Sequence, residues 1–540
     1  MRSDSTNIRL GLCALLFTVL MSMPFLLPGC GILALVGFVP LLMMEEVASN
    51  SHVKRFWLWH YSAFLAWNLV TTFWVCNATV GGGLFASFAN AFQMSVVFGL
   101  FRWGRKMMRG SLPYLFLAAA WIAWERYYLV SAQISWPWLV LGNAFARTTW
   151  AVQWYEFTGA TGGSLWVWAC NLSVFALLSS IASGRWKELT SRVRTASIAG
   201  ICLTFLFPLA VSLKIWADWK ETSDPVKVMI VQPNIDPYNK FSAMNQDQQD
   251  ALLEGLAAKQ LEDGAFRPDL LVAPETFTGD VVTNAIPSSR TYGHFLSFIR
   301  KHGVPSILFG ASARTFIGSR TRPSVTARSI GDATWVESHN VAIMLDSTSR
   351  DGIYYKSKLV VGVEMMPYPR LFRPLDEALG GVMGRCVGQE EPSVLYALRE
   401  GKDVPVGVAV CYESVYPEWC AGYVRAGAQV LSVITNDAWW GNTPGYRQHC
   451  SYASLRAIET RRDIARCANT GISCIINQRG DVIQKTSWWE PDVICGEVNL
   501  NSEETFFVRN GDFIGRICVL VFVLLLLWMV SRSFIPKSLR

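Results

Sequence analysis

The strongest constraint on this chain is the crowding of apolar runs into its first 216 residues. They fall at about 9–27, 29–44, 57–76, 84–101, 112–130, 162–183 and 196–216, and one more run follows a long polar stretch, at 513–530. Each is close to the roughly 20 residues that carry a helix across the hydrocarbon core of a bilayer. Hydrocarbon offers no hydrogen-bond partner, so backbone amides must be satisfied within the segment, and helices are the expectation for all eight runs. The second run is short and follows Pro28-Gly29, which predicts a tilted span or a helical hairpin with the first. Composition agrees with this reading: only 16% of residues are charged, against about 25% in a typical soluble domain. That balance excludes a disordered chain, a collagen-like repeat and a polar coiled coil, and it argues against a wholly soluble protein.

Basic residues mark alternate connections. Arg2 and Arg9 come first, then Lys54 and Arg55, then Arg102, Arg105, Lys106 and Arg109. Arg185, Lys187, Arg192 and Arg194 follow, and Arg532, Lys537 and Arg540 close the chain. The intervening connections are nearly free of positive charge: 81–83 has none and 131–159 has Arg147 alone. The positive-inside rule then predicts cytoplasmic termini and an extracytoplasmic stretch near 217–510. The expected organisation is a seven-span transmembrane bundle at 1–217, a polar domain at 218–510, and a final transmembrane helix with a cytoplasmic tail at 511–540. The net charge of +7 is modest, so its placement carries the information, and no nucleic-acid partner is expected. The intramembrane Trp and Phe residues read as helix packing and interface belts, and Glu125 with Arg126 as an interfacial pair.

From residue 224 the texture changes. Strand-type apolar runs at 226–232, 269–273, 306–310, 340–346, 404–410, 429–435 and 472–477 alternate with helical spacing at 247–262, 292–302, 418–426 and 448–467. Residues 354–361 read as an extended segment. This alternation predicts a layered α/β domain with buried sheets. Thirteen Cys lie without a CxxC pair and six His without an HxxxH, so neither a zinc site nor a disulfide framework is legible, and no metal or cofactor is expected.

Three strand ends carry reactive groups. In 270–275 (LLVAPE), Pro274 stops the strand and leaves Glu275 at its exit. In 354–359 (YYKSKL), period-two alternation puts Lys356 and Lys358 on one face. In 406–411 (VGVAVC), the strand ends at Cys411 and turns through Tyr412-Glu413, presenting the thiol on a sharp bend in the manner of a nucleophile elbow. Taken singly, a Cys ending an apolar strand is mostly a buried structural residue, and a lone Glu or Lys a solvated charge. Together they make a nucleophile: a cation lowers a thiol pKa from about 8.5, a carboxylate accepts the proton, and the lysine steadies an oxyanion.

Glu, Lys and Cys in that order resemble the nitrilase superfamily of α-β-β-α sandwich amidases and acyl transferases. Flanking segments narrow the resemblance. Val231-Gln232-Pro233-Asn234-Ile235, Ala273-Pro274-Glu275-Thr276, Asn340, Tyr354-x-Lys356-x-x-Leu359-Val360, Glu364 and Cys411-Tyr412-Glu413 are similar to the apolipoprotein N-acyltransferase family. So are Thr435-Asn436-Asp437-Ala438-Trp439-Trp440-Gly441, Gln448-His449 and Arg456-x-x-Glu459-x-x-Arg462. That family places a nitrilase-like domain between the last two of eight spans.

The resemblance implies a bacterial inner-membrane enzyme with a periplasmic catalytic domain and cytoplasmic termini. Cys411 would take an acyl chain from a membrane phospholipid as a thioester and pass it to the α-amine of a diacylglyceryl-cysteine on an apolipoprotein. Glu275 is then the general base, and Lys356 stabilises the oxyanions with backbone amides near Tyr412. Glu364, Glu413 and Asn340 support them, and Phe241, Trp439 and Trp440 contact substrate. Two departures bear on acyl-chain or head-group preference: Val361-Gly362-Val363 stands where the family reads Pro-Phe-Gly, and Phe241 where it favours Trp. Residues 365–392, rich in Met, Pro, Leu and Phe, read either as an adaptable apolar arm or as an ordinary packed loop. Two alternatives remain open, a membrane-tethered nitrilase-type amidohydrolase and a non-catalytic lipoprotein-binding membrane scaffold. One span already anchors a protein effectively irreversibly, so eight favour lipid substrates over mere tethering.

Overall fold

The computed structural model describes residues 2–238, 240, 243–262, 264–378 and 383–534. Phe241, Lys537 and Arg540, named above, lie outside the described residues. The chain forms two compact units, one of Met1–Ala132, Trp136–Trp219 and Asn510–Arg540, the other of Gln133–Ser135 and Lys220–Arg509.

The first unit is helical. Among the described residues six helices are long and apolar enough to cross a membrane: Ser5–Leu26, Cys30–Asn50, Val80–Met107, Tyr155–Ala182, Ser191–Asp218 and Phe513–Ser533. The runs at 57–76 and 112–130 also fold as helices, Trp57–Thr72 and Leu112–Val130, but the first has 16 residues and the second holds Glu125 and Arg126. The second apolar run starts irregularly, with a 3-10 turn Cys30–Leu33 and a short helical turn Ala34–Gly37 before the helix Val39–Asn50. Pro40 lies at the start of that last helix and has no amide to donate. The side chain of Asn171 mends the break: Oδ1 accepts from the amides of Phe38 (2.7 Å) and Val39 (3.1 Å), and Nδ2 donates to the Ala34 carbonyl (2.8 Å). An irregular backbone inside an apolar bundle requires this kind of satisfaction. The Phe38 ring fills the same junction, 5.1 Å from Trp121 and 4.6 Å from Trp168 between centroids, so these aromatics are helix packing.

Glu125 and Arg126 do not pair with each other. Consecutive helical residues point about 100° apart, and each finds its own partner. Glu125 accepts from Trp121 Nε1 (3.1 Å) and the Leu141 amide (2.8 Å), whereas Arg126 meets Asp512 at 2.9 Å. Asp512 also caps the helix Phe513–Ser533 by accepting from the Gly515 amide at 2.7 Å.

The second unit holds two sheets. Its strands are β1 (Pro225–Gln232), β2 (Leu270–Val272), β3 (Thr278–Val282), β4 (Ser306–Gly318), β5 (Arg328–Gly331), β6 (Thr334–Asp346) and β7 (Asp351–Tyr355). There follow β8 (Val394–Arg399), β9 (Lys402–Val410), β10 (Val430–Thr435), β11 (Ile464–Ala468), β12 (Cys474–Ile476), β13 (Val482–Lys485) and β14 (Asp492–Asn499). Its longer helices are α1 (Gln246–Leu261), α2 (Arg290–His302), α3 (Pro369–Ala378), α4 (Pro417–Arg425) and α5 (Pro444–Thr460). One sheet runs β14-β1-β2-β4-β6-β5, with β3 beside β4 and β7 beside β6; the other runs β13-β12-β11-β10-β9-β8.

Strand periodicity builds the layers. In β1, Val226, Val228 and Ile230 join one core with Val408 and Val410 of β9, while Met229 and Val231 join another with Leu253 of α1 and Phe295 of α2. Tyr423 of α4 and Ala453 and Ala457 of α5 enclose the second sheet. The result is an α-β-β-α sandwich in which the exits of β2, β7, β9 and β10 carry the polar groups of interest.

One expected helix divides. Residues 448–467 form the end of α5 and then β11, because Arg461 adopts a left-handed φ of 49° that terminates the helix. The fully buried Ile464–Ala468 then pairs in parallel with β10. A short buried run carries no periodicity to separate helix from strand. The segment 365–392 contributes α3.

Candidate active site

β9 delivers Cys411 in a left-handed conformation, φ 53°. For a non-glycine residue this costs about 1–3 kcal/mol and persists only where surrounding bonds enforce it. They do so on both sides. The Val410 amide donates to Glu413 Oε2 (2.9 Å), and the Cys411 carbonyl accepts from Ser414 Oγ (2.8 Å) and His449 Nε2 (3.0 Å). The bend expected from the sequence is thus a hydrogen-bonded elbow.

His449 is itself anchored. Its Nδ1 lies 2.9 Å from Asp437 Oδ1, and Arg466 Nη2 lies 2.8 Å from Asp437 Oδ2; all three side chains are buried. Burial alone would raise the Asp437 carboxyl, but the charges of Arg466 and then His449 hold it below the usual carboxylate range. The sequence motifs contain Asp437 and His449 without assigning them this task, and Arg466 lies in none of them. The available signal was Asp437 at the exit of β10, the same strand-exit position that marks Glu275 and Cys411.

Lys356 follows β7 and is 1% exposed. Its Nζ lies 3.0 Å from Glu275 Oε1 and 2.8 Å from Glu364 Oε1. Asn340 Nδ2 donates to the same two oxygens, each at 2.8 Å. The remaining carboxylate oxygens are also occupied: Glu275 Oε2 accepts from the Asn436 amide (3.2 Å) and Glu364 Oε2 from the Val360 amide (2.8 Å). Burial would lower the Lys356 ammonium, but Glu275 and then Glu364 lift it well above the ordinary lysine value, so it stays charged. The divergent segment Val361-Gly362-Val363 forms a turn with Gly362 at φ 83° and the Glu364 amide donating to the Val360 carbonyl at 2.8 Å. It leaves Glu364 on the lysine.

Glu275 leaves β2 through Pro274, and Thr276 takes a left-handed φ of 46°. Gly310 of β4 passes so close that a Cβ there would stand 2.6 Å from Glu275 Cα. Lys240 Nζ donates to the Thr276 carbonyl. Burial pushes this ammonium down to about 8, against the pull of Glu275. It is a second amine beside the carboxylate, at a position that no sequence motif singled out.

The Cys411 thiol departs from expectation. Burial first, and the negative charge of Glu275 second, push it above the usual thiol range, and Lys356 offsets only part of this. The arrangement is a neutral thiol beside an ion pair, suited to losing its proton to a base as it attacks and not to standing as a thiolate.

Glu413 joins the lysine and cysteine segments. Oε1 accepts from the amides of Ser357 (2.7 Å) and Lys358 (3.2 Å) and from the Tyr354 hydroxyl (2.7 Å), while Oε2 accepts from Val410. Two consecutive amides therefore curl around one oxygen, β7 ends at Tyr355, and Lys358 leaves the face that Lys356 occupies. The Lys358 ammonium lies over the Trp419 and Tyr416 rings, 4.8 and 5.3 Å from their centroids. The shared face expected from alternation does not form.

The other named residues lie around this centre. Tyr412 is buried and its hydroxyl donates to the Ser135 carbonyl at 3.3 Å. Trp439 and Trp440 sit on a 3-10 turn after β10. Trp440 meets the His449 ring edge-on at 5.4 Å; Trp439, 40% exposed, meets Tyr238 at 5.2 Å. Away from these residues, Asp247, Asp250 and His294 hold ligand-type atoms within 4.8 Å of one another. Asp250 already accepts from Thr291, Gln246 and His294 there, so the group serves as a hydrogen-bonded contact between α1 and α2.

Residues 227–506 match the carbon-nitrogen hydrolase family, and residues 17–173 match the apolipoprotein N-acyltransferase N-terminal domain. The chain belongs to the carbon-nitrogen hydrolase family. Its relatives extend the likeness through both units. It is 28% identical over 497 residues to the apolipoprotein N-acyltransferase of Chlorobaculum tepidum, covering 90% of each chain. To that of Geobacter metallireducens it is 29% identical over 522 residues, 94% of this chain and 93% of the other. An amidase from Nesterenkonia sp. of known structure is 15% identical, covering 54% of this chain and 96% of its own, with a TM-score of 0.33. Within its family the chain stands with the apolipoprotein N-acyltransferases.

Proposed function

We propose that this protein moves an acyl chain from a membrane phospholipid to the N-terminal α-amine of a diacylglyceryl-cysteine on an apolipoprotein, through a thioester on Cys411. The observation that carries this reading is the Glu275–Lys356–Glu364 ion cluster beside a thiol held on a strained elbow. In the first half-reaction the thiol proton passes to Glu275 as sulfur attacks the ester carbonyl. Lys356 balances the oxyanion, and the proton leaves with the lysophospholipid alkoxide. In the second, the amine attacks the thioester, Glu275 takes a proton from nitrogen, and it returns that proton to the departing sulfur. A charged lysine in a water-poor site stabilises each tetrahedral intermediate far better than it would in water.

The membrane reading goes further than the six long apolar helices. We take all eight runs as spans, with the polar domain on the periplasmic side of a bacterial inner membrane and both termini cytoplasmic, as the alternation of basic connections requires. Exposed Leu203, Leu206 and Phe207 on one helix, and Leu520, Leu524 and Leu527 on another, suit contact with lipid tails. Trp439, exposed beside Tyr238, suits contact with a lipid substrate.

The test is direct. Purified protein incubated with phospholipid and a diacylglyceryl peptide is expected to give lysophospholipid and N-acylated peptide in equal amounts. Free fatty acid formed at the same rate with or without peptide would make the protein a hydrolase instead.

A further inference from the structure

A pair of facing sulfurs lies outside the reaction centre. Cys450 follows His449 on α5, and Cys474 lies on β12. Their Sγ atoms are 3.8 Å apart and both residues are buried. Arg466, which opposes Cys474 in the β11–β12 register, places its guanidinium within electrostatic reach of both sulfurs. The Cys450 thiol is held low, at about 7, chiefly by its hydrogen bond with the Cys474 thiol; burial opposes this and Arg466 adds to it. Two facing sulfurs beside a buried cation are poorly explained as packing alone, since either could be a smaller apolar group.

We propose that Cys450 and Cys474 are a dithiol that closes reversibly to a disulfide, joining α5 to β12. A disulfide bond is about 2.05 Å long, so closure requires the sulfurs to approach by less than the width of one atom. Closure begins when the Cys450 thiolate attacks a disulfide oxidant, releasing one thiol and forming a mixed disulfide. The Cys474 thiol, which its hydrogen bond with Cys450 and burial hold well above the usual range, loses its proton as its sulfur displaces the second thiol. Two protons and two electrons leave the protein, and one external disulfide becomes two thiols. The strap lies one residue from His449, whose ring grips the Cys411 carbonyl. Oxidation therefore fixes the helix that holds the elbow without consuming Cys411.

The chemistry does not rest on the acyl-transfer reading, because the readout involves no lipid or peptide substrate. Full-length protein in detergent is equilibrated with oxidised glutathione until its thiol titre is constant, unfolded in excess N-ethylmaleimide, digested without reductant and mapped by mass spectrometry. The expected result is a Cys450–Cys474 linked peptide pair, two hydrogens lighter than the sum of its parts and absent after dithiothreitol. The oxidised protein is also expected to melt at a higher temperature than the reduced one. Cys450→Ala should abolish both the link and the melting difference, and Cys474→Ala gives the same comparison should the first variant fail to fold. Maleimide on both residues of the fully oxidised sample, or a link from either to a third cysteine, would overturn the proposal.

Discussion

His449 Nε2 lies 3.0 Å from the carbonyl oxygen of Cys411, so the buried imidazole grips the backbone that bears the nucleophile. In the proposed mechanism proton transfer falls to Glu275, and the histidine, braced by Asp437 and Arg466, sets where the sulfur stands. His449→Ala is expected to lower kcat by about 10²-fold, the scale of a misplaced reacting group, with KM little changed. His449→Gln keeps a donor and should recover part of the loss. Steady-state kinetics with the lipid and peptide pair checks this, and a wild-type kcat in the alanine variant would refute it.

Replacing Cys411 gives the simplest expectation. Cys411→Ser should leave at most a trace of transfer, because an alkoxide forms far less readily than a thiolate under the same base. Wild-type protein mixed with phospholipid alone should gain the mass of an acyl chain on the Cys411 peptide, and the serine variant should not.

In the proposed mechanism Lys356 has two tasks, and one substitution removes both. Lys356→Ala leaves Glu275 and Glu364 facing each other in a buried site, and stranding buried charge in this way costs about 3–5 kcal/mol. It should also slow both half-reactions by 10²-fold or more, roughly the effect of removing an oxyanion donor. Denaturant melts and single-turnover assays of acyl loading and transfer measure the two effects. Undiminished loading would remove the lysine from the mechanism.

The charges around the thiol set the sign of a pH response. Glu275 raises the Cys411 pKa and Lys356 lowers it. Glu275→Gln should move the midpoint of Cys411 alkylation to lower pH, and Lys356→Ala should move it to higher pH, although both variants lose transfer. Peptide-resolved alkylation rates compared at one fixed pH follow these shifts, because below the midpoint each unit of pKa changes the reactive thiolate fraction about tenfold. Shifts in the same direction would contradict this charge arrangement.

Gly310 offers a purely steric test. A Cβ there would meet Glu275 Cα at 2.6 Å and the Thr276 amide nitrogen at 2.7 Å, both backbone atoms that cannot swing aside. Gly310→Ala is expected to cost about 1–3 kcal/mol by overpacking and to displace the base. Thermal melting and kcat should fall together, and a neutral effect on both would show that the strand can move.

Much of the site was legible because its chemistry sits at the ends of short contiguous runs. LLVAPE and VGVAVC each announce a buried strand and then a reactive group, and the apolar runs announce helices by length alone. What escaped depends on partners remote in sequence. Alternation put Lys358 beside Lys356, but Glu413, more than fifty positions away, ends the strand by drawing in two successive amides. Glu125 looked paired with its neighbour and instead binds the Leu141 amide. The broken start of the second apolar helix is completed by Asn171, 133 residues from Phe38. Residues 448–467 have helical spacing throughout, and only the left-handed Arg461 divides them. The chain from Arg466 through Asp437 to His449 draws on three elements, so no local pattern could expose it.

The single carboxylate of Glu413 takes amides from the exit of a strand in each sheet. Any sliding of one layer over the other must carry ammonium and sulfur along together. One side chain thus acts as a rivet between the layers, and it resists any shear that would change the gap between the Lys356 charge and the Cys411 sulfur.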